Sequence, residues 1–360
     1  MRHSSTSPGR RLLPLLLAAA ACSSSAPPPV ANTSWSLTLH GDSAATPHPV
    51  RGPAWAIAIH GGAGTIARDA PAAELAAYRT SLERALTVGR DMLAKDATAL
   101  DVCEAVVRVL EDDPLFNAGR GAACNERGGH ELDASIMDGA TLRCGAVAGV
   151  TTVRHPISLA RKVMTETKHV LLMGSGAEEF ATSVGVERVP NDWFTTERRR
   201  QMLDEVLRER AAKKTAAATP LLRAAACGTV GCVVRDGKGD LAAATSTGGL
   251  TGKKFGRVGD SPIVGAGNYA NRFAAVSGTG TGEQFLRHTV ARSIAARMEF
   301  GGQTLAQAAD AVVMHELDRD DGGVIAIDGA GNMVAVYSSD GMYRGFADAD
   351  GRFEVAIFER

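Results

Sequence analysis

One residue pair in this chain can generate a reactive centre by itself. Gly228-Thr229 stands where a run rich in alanine, lysine and threonine (residues 211–220) gives way to the apolar, β-branched run Val230–Val234. That second run reads as a short buried strand, closed by the turn Asp236-Gly237-Lys238-Gly239. Glycine lacks a Cβ, so Gly228 tolerates a strained backbone and leaves its carbonyl open to attack. If the Thr229 hydroxyl adds to that carbonyl, the peptide bond rearranges to an ester and then hydrolyses, leaving Thr229 as a new N-terminus. A free α-amine titrates near about 7.7–8.0, which makes it a base at neutral pH beside its own hydroxyl. One residue then supplies both nucleophile and base. Taken alone, a Gly-Thr pair more often merely opens a strand, so the surrounding chain has to decide.

Around this pair the hydrophobic periodicity alternates between strands and helices. Trp55–Ile59 reads as a strand that enters a glycine loop, His60–Gly64, with no GxGxxG or Gly-Lys-Ser/Thr pattern to suggest phosphate binding. Pro71–Leu93 and Leu100–Leu110 read as helices, followed by the loop Glu111–Gly121. A strand over Glu131–Gly139 and a continuing meander over Ala146–Val153 come next, then helix, strand and helix over 156–167, 169–173 and 176–184. Glu197–Lys214 reads as a charged helix whose Arg198-Arg199-Arg200 run is a solvated face rather than a nucleic-acid footprint. After Thr229 the pattern gives strands at Val230–Val234 and Leu241–Thr247, and helices at Gln284–Phe300 and Leu305–Leu317. Three last strands fall at Val324–Ile327, Met333–Tyr337 and Arg352–Phe358.

Composition narrows the class. The chain has 360 residues, 45% of them hydrophobic, and a net charge of −1, so it can bury a large core and offers no charge footprint for nucleic acid. Residues 1–21 read as an export signal: Arg10-Arg11, the apolar run Leu12–Ala21, and small residues at its end. Cys22 follows at once, ahead of a Pro/Ser/Thr-rich stretch (22–53) that reads as an unstructured tether. A cysteine there resembles a bacterial lipoprotein signal, which implies lipidation at Cys22 and a protein exported to the periplasm and anchored to the envelope. The other cysteines (103, 124, 144, 227 and 232) are odd in number and irregularly spaced, so they read as free thiols.

Seven stretches, in order, decide the meaning of Gly228-Thr229: His60-Gly61-Gly62-Ala63-Gly64, Phe116-Asn117-Ala118-Gly119, Glu131-Leu132-Asp133-Ala134, Gly228-Thr229-Val230-Gly231, Thr245-Ser246-Thr247-Gly248-Gly249, Gly256-Arg257-Val258-Gly259-Asp260-Ser261-Pro262 and Thr279-Gly280-Thr281-Gly282-Glu283. Together they resemble the plant-type L-asparaginase/isoaspartyl peptidase family of N-terminal-nucleophile hydrolases, over residues 55–360. The resemblance implies an α+β fold of the four-layer αββα sandwich type. It also implies self-cleavage into an α subunit (54–228, with a flexible linker from about 211) and a β subunit (229–360), and a dimer of α/β heterodimers.

By the same resemblance Thr229 is the nucleophile and Thr247 steadies it. Thr279, through its hydroxyl, and Gly280, through its N–H, form the oxyanion hole. Arg257 and Asp260 clamp the α-carboxylate and α-ammonium of a small-molecule substrate, free asparagine or a β-aspartyl dipeptide. No cofactor is needed for catalysis. A structural sodium ion is implied in the loop that contains Leu110, Glu111, Asp113, Phe116, Ala118 and Arg120, held by backbone carbonyls. Two other readings stay open: a glycosylasparaginase of the same superfamily, which usually carries Asp-Thr-Ile-Gly at the nucleophile, and an inactive envelope-bound binding protein.

Overall fold

The computed structural model describes residues 52–64, 66, 68–212 and 228–359. The expected signal segment, the tether with Cys22, and linker residues 213–227 lie outside the described residues.

Two sheets build a mixed α/β fold. The larger has eight strands in the order β12-β11-β1-β5-β6-β2-β3-β4, and the smaller four in the order β10-β9-β8-β7. The first half of the chain supplies β1 (Ala56–Gly64), β2 (Leu132–Asp138), β3 (Cys144–Val150) and β4 (Leu171–Met173). Residues after Thr229 supply β5 (Val230–Arg235), β6 (Leu241–Thr247), β7 (Asn268–Ala270), β8 (Ala274–Gly280), β9 (Gly322–Asp328), β10 (Met333–Tyr337), β11 (Gly341–Asp348) and β12 (Phe353–Ala356). Both halves therefore interleave in one sheet, with β5 and β6 between β1 and β2.

Alternation along the strands sorts their side chains into separate cores. Ile57, Ile59, Cys232, Val234, Ala242 and Ala244 share one core with helices α1 (Ala72–Leu93), α2 (Ala99–Glu111) and α3 (Pro156–Glu166). Their neighbours Ala58, Val233 and Ala243 point the other way and pack with Ala275, Ile325 and Ile327 of the smaller sheet. The opposite residues of that sheet, Val276, Val324 and Ala326, share a third core with Ile294, Ala308 and Val312. Leu82, Leu86, Val102 and Val106 are each fully buried, and burying one such side chain contributes about 1.5–3 kcal/mol.

The remaining helices are α4 (Gly174–Ser183), α5 (Glu197–Ala212), α6 (Gly282–His288), α7 (Val290–Gly301) and α8 (Leu305–His315). Where the periodicity gives one helix over Gln284–Phe300, the chain forms α6 and α7, broken at Thr289 (φ 46°). The break lets Ala291 and Arg292 donate their N–H groups to Ala266 and Gly265 carbonyls. The expected glycine loop after Ile59 is also part of β1. Strand pairing with β11 continues to Gly64, past a bulge between His60 and Gly62. In α5 the arginine run is not uniformly solvated: Arg199 is only 5% exposed.

α2 begins at Thr98, whose side chain caps the Asp101 N–H, and ends at Glu111, which is fully buried. Glu111 accepts hydrogen bonds at Oε1 from the Ser246 hydroxyl (2.6 Å) and the Ile157 N–H (3.1 Å), while Oε2 has no partner. Burial pushes its pKa up from 4.5 to about 8, so the folded state holds it neutral at pH 7. A raised carboxylate contributes stability fully below 4.5 and loses it as pH rises through about 8. Glu111→Gln keeps the neutral shape and removes that titration. Its melting temperature should therefore fall less than the wild type's between about pH 5 and pH 8.5. Parallel losses in the two proteins, measured by calorimetry, would contradict a neutral Glu111.

Candidate active site

Thr229 immediately precedes β5 and is 8% exposed. Its hydroxyl donates to Thr247 Oγ1 at 3.1 Å, at the end of the neighbouring strand β6. Thr247 Oγ1 also accepts the Gly249 N–H at 3.0 Å, so this oxygen is held between two donors. The antiparallel register, Val230 opposite Ser246, creates this meeting, since one further step along each strand brings the two threonines together. Thr245 and Thr247 lie on the same face of β6 as Ala243, towards the smaller sheet.

The residue before Thr229 is held on both sides. Gly228 has φ +139°, a region L side chains rarely adopt, and a Cβ there would lie 2.6 Å from Asn117 Cβ. On the other side, a Cβ on Gly62 would lie 2.6 Å from Gly228 Cα. The Gly228 carbonyl accepts the Asn117 N–H at 3.0 Å. Asn117 is itself fixed: its Nδ2 donates to the Gly249 carbonyl, its Oδ1 accepts the Ala123 N–H (both 2.7 Å), and its carbonyl accepts the Gly248 N–H. The loop after α2 thus places one N–H donor on the carbonyl that Thr229 would attack.

β1 connects the nucleophile to the smaller sheet. His60 is fully buried, with Nδ1 3.0 Å from the Thr229 carbonyl and Nε2 2.9 Å from Ser277 Oγ. The carbonyl can only accept, so Nδ1 carries the proton and Nε2 accepts from Ser277; the tautomer is assigned from this network. Burial lowers the His60 pKa to about 3, so the ring stays neutral and positions Thr229 without acting as its base. Three residues on, the Ala63 N–H donates to Thr279 Oγ1 at 3.3 Å. Thr279 and Gly280 end β8, paired with Gly323 and Gly322. A Cβ on Gly280 would lie 1.9 Å from the Asp321 carbonyl oxygen, so the two backbones approach where only glycine fits.

Arg257 and Asp260 do not pair with each other. Arg257 donates through Nε and Nη2 to both oxygens of Glu283, at 2.9 Å each. Asp260 is buried with Oδ2 unpartnered, and desolvation raises its pKa from 3.8 to about 7. Glycines clear this region: a Cβ on Gly267 would lie 2.4 Å from Asp260 Oδ2, and one on Gly282 would lie 2.6 Å from an Arg257 nitrogen. Gly249 links it to the threonines, since its N–H holds Thr247 and its Cβ position lies 3.4 Å from Arg257 Nη1. Asp133, opposite Thr247 in register, accepts the Gly149 N–H at 2.8 Å and leaves Oδ2 unpartnered. Burial raises its pKa, while the buried Lys253 nearby acts in the opposite sense.

The loop expected to hold sodium is tightly wound. The carbonyls of Leu110, Asp113 and Ala118 accept N–H groups from the loop itself. Those of Glu111 and Phe116 crowd the bare faces of Gly119 and Gly121, at 2.2 and 2.3 Å from where a Cβ would sit. The side chains of Asp113 and Arg120 are engaged elsewhere, with Arg84 and with the Trp193 carbonyl.

The structure therefore links Thr229, Thr247, Arg257 and Asp260, all read from sequence, through Gly249 and Gly282, and joins Thr279 and Gly280 to them through β1. It adds four residues that sequence reasoning did not place there as site residues: His60, Asn117, Asp133 and Glu283. Their signal was present, because each belongs to one of the matched stretches.

The family model described as "Asparaginase" matches residues 53–357. An isoaspartyl peptidase of Salmonella typhimurium is 51% identical over 295 residues, covering 80% of this chain and 93% of that protein. A probable isoaspartyl peptidase/L-asparaginase 2 of Arabidopsis thaliana is 47% identical, covering 77% and 91%. The human isoaspartyl peptidase/L-asparaginase is 42% identical, covering 78% and 89%. By residues, order and extent of match, the chain belongs to the asparaginase family.

Proposed function

We propose that this chain is a threonine-nucleophile amidohydrolase that matures by self-cleavage between Gly228 and Thr229 and releases aspartate from L-asparagine and β-aspartyl dipeptides. The observation that carries this reading is the Thr229 hydroxyl held on Thr247 beside a glycine whose carbonyl accepts the Asn117 N–H. The names of the similar proteins support the substrate class, and the cores on either face of the two sheets suit the four-layer αββα arrangement.

In self-cleavage, Thr229 Oγ forms a bond to the Gly228 carbonyl carbon. The Asn117 N–H stabilises the oxyanion, the C–N bond breaks, and the hydroxyl proton ends on the freed amine. Water then hydrolyses the ester. In turnover, the Thr229 amine takes the hydroxyl proton while Oγ attacks the side-chain carbonyl of the substrate. The Thr279 hydroxyl and Gly280 N–H receive the negative charge, and one such donor is worth about 10²–10³ in rate. The proton passes to the departing ammonia or amine, and water releases aspartate from the acyl-enzyme. Arg257 and Asp260 hold the free α-carboxylate and α-ammonium, so an asparagine within a normal peptide would be refused. A sodium ion bound by the carbonyls after α2 would order the loop that carries Asn117.

The purified wild type should resolve into two bands on a denaturing gel, the smaller starting at Thr229. Thr229→Ala should stay as one, and cleavage of the variant at the same bond would implicate an external protease. Asp260 loses its proton as pH rises through about 7 and only then attracts an ammonium. Hence kcat/KM for asparagine should climb across that range. Loss of a buried charge partner costs about 2–5 kcal/mol, so Asp260→Asn should lower kcat/KM roughly 30-fold to several thousand-fold while self-cleavage proceeds. A variant of near wild-type kcat/KM would remove Asp260 from the clamp. Export with lipidation at Cys22 is part of the same proposal. Cys22→Ala should shift the protein from the membrane fraction to the soluble periplasm, and a wild type already soluble there would exclude the anchor.

A further inference from the structure

A cavity of about 370 Å³ adjoins Gly228 and the glycines of β1. Gly61, Gly62, Ala63 and Gly228 form one wall. It therefore borders the reacting centre, because Gly228 precedes Thr229 in the uncleaved chain and the Ala63 N–H, on the same wall, donates to Thr279. Arg257 and Asp260 are not among its lining residues. A substrate fixed by that clamp, with its carbonyl at Thr229, thus has its departing group on the cavity side.

The opposite wall is basic and aromatic. Arg199 is 5% exposed, donates through Nε to the Gly121 carbonyl and through Nη1 to Met202 sulfur, and has no carboxylate partner among the described residues. Arg198, the next residue, bonds Glu74 at 2.9 Å and the Tyr78 hydroxyl at 2.8 Å. Two guanidiniums thus face Glu74, the one side-chain carboxylate that lines the cavity. The mutual repulsion of the arginines and the burial of Arg199 are both relieved by an anion. Tyr78 stacks on Tyr343 at 4.2 Å between ring centres, and with Leu115 these rings form an apolar surface next to the charge.

We propose that this cavity is the leaving-residue subsite. The Arg198/Arg199 pair receives the free α-carboxylate of the residue that departs from a β-aspartyl dipeptide, and Tyr78, Leu115 and Tyr343 receive its side chain. The inference rests on the reaction proposed above and extends it from the retained aspartyl half to the leaving half. It assigns a preference for dipeptides ending in a free carboxylate with an apolar residue. Free asparagine, whose leaving group is ammonia, gains nothing from the site.

The test compares β-Asp-Leu, β-Asp-Leu amide and free asparagine on the matured wild type and on Arg199→Met. A charge-assisted contact with a buried guanidinium should give the free acid an advantage of about tenfold or more in kcat/KM over its amide, mainly through KM. In Arg199→Met that advantage, read as the ratio of acid to amide within the same matured protein, should shrink towards one. Arg198→Gln, at a half-exposed position, keeps the question open to measurement if Arg199→Met does not fold, and should reduce the same ratio. Equal rates for acid and amide in a wild type that hydrolyses asparagine would overturn the subsite and leave the proposed activity standing. A wild type inactive on all three would overturn the activity and the subsite with it.

Discussion

The site depends on how closely backbone can approach backbone around Gly228. Gly62 and Asn117 leave room for a residue without a side chain, at a positive φ, and the Asn117 N–H fixes its carbonyl. Everything else follows from keeping that residue in place. The loop after α2 must present Asn117, so that loop is wound on glycines and tied to Ala123 and Gly248–Gly249. β1 must bring Gly62 alongside, so it passes through a bulge while still paired to β11. Side chains at either glycine would push the Gly228 carbonyl off the Asn117 N–H.

Strand alternation explains why structure and reactivity coexist in so small a volume. On β6, Ala242 and Ala244 feed one hydrophobic core, while Ala243 faces the smaller sheet and Thr245 and Thr247 extend that same face. On β8, Ser277 and Thr279 continue the face of Ala275. The polar ends of these strands meet in the layer whose other end is apolar, so hydroxyls reach His60, Ala63 and one another while their flanking residues hold the sheets. Ser246, on the reverse face between the two threonines, bonds the neutral Glu111 instead. A one-residue slip in register would exchange the two sets and destroy both.

Much of this was legible in the sequence where local pattern and final environment agree. The strands Val230–Val234 and Leu241–Thr247 and the two helices flanking residues 94–98 follow from periodicity, while the grouping of Thr229, Thr247, Arg257, Asp260 and Thr279 is what the family resemblance implies. β8 and β11 did not show themselves. Ala274–Gly280 and Gly341–Asp348 are poor in β-branched residues, and they become strands because neighbours on both sides pair with them. The division at Thr289 was hidden for a related reason: it is dictated by the Gly265 and Ala266 carbonyls, distant in sequence. Arg199 was misread because its sequence neighbours are charged, whereas its environment is set by the Gly121 loop across the cavity.

The partner of Arg257 carries the last step of the argument. Asp260 waits uncompensated in a buried position, but Arg257 is already bidentate on Glu283, whose pKa is lowered chiefly by that hydrogen-bonded pairing. If Arg257 takes a substrate carboxylate as proposed, that carboxylate either displaces Glu283 or shares the guanidinium with it. Displacement would strand Glu283 beside a second carboxylate. Sharing is easier, because Glu283 occupies Nε and Nη2 while Nη1 points at the glycine edge of Gly249, next to Thr247. In that arrangement Glu283 sets the plane of the fork and leaves Nη1 turned towards Gly249. The two halves of the clamp thus differ in kind. In the proposed clamp one is a charge held ready in a fixed orientation by Glu283, and the other is a buried carboxyl whose charge is set by pH.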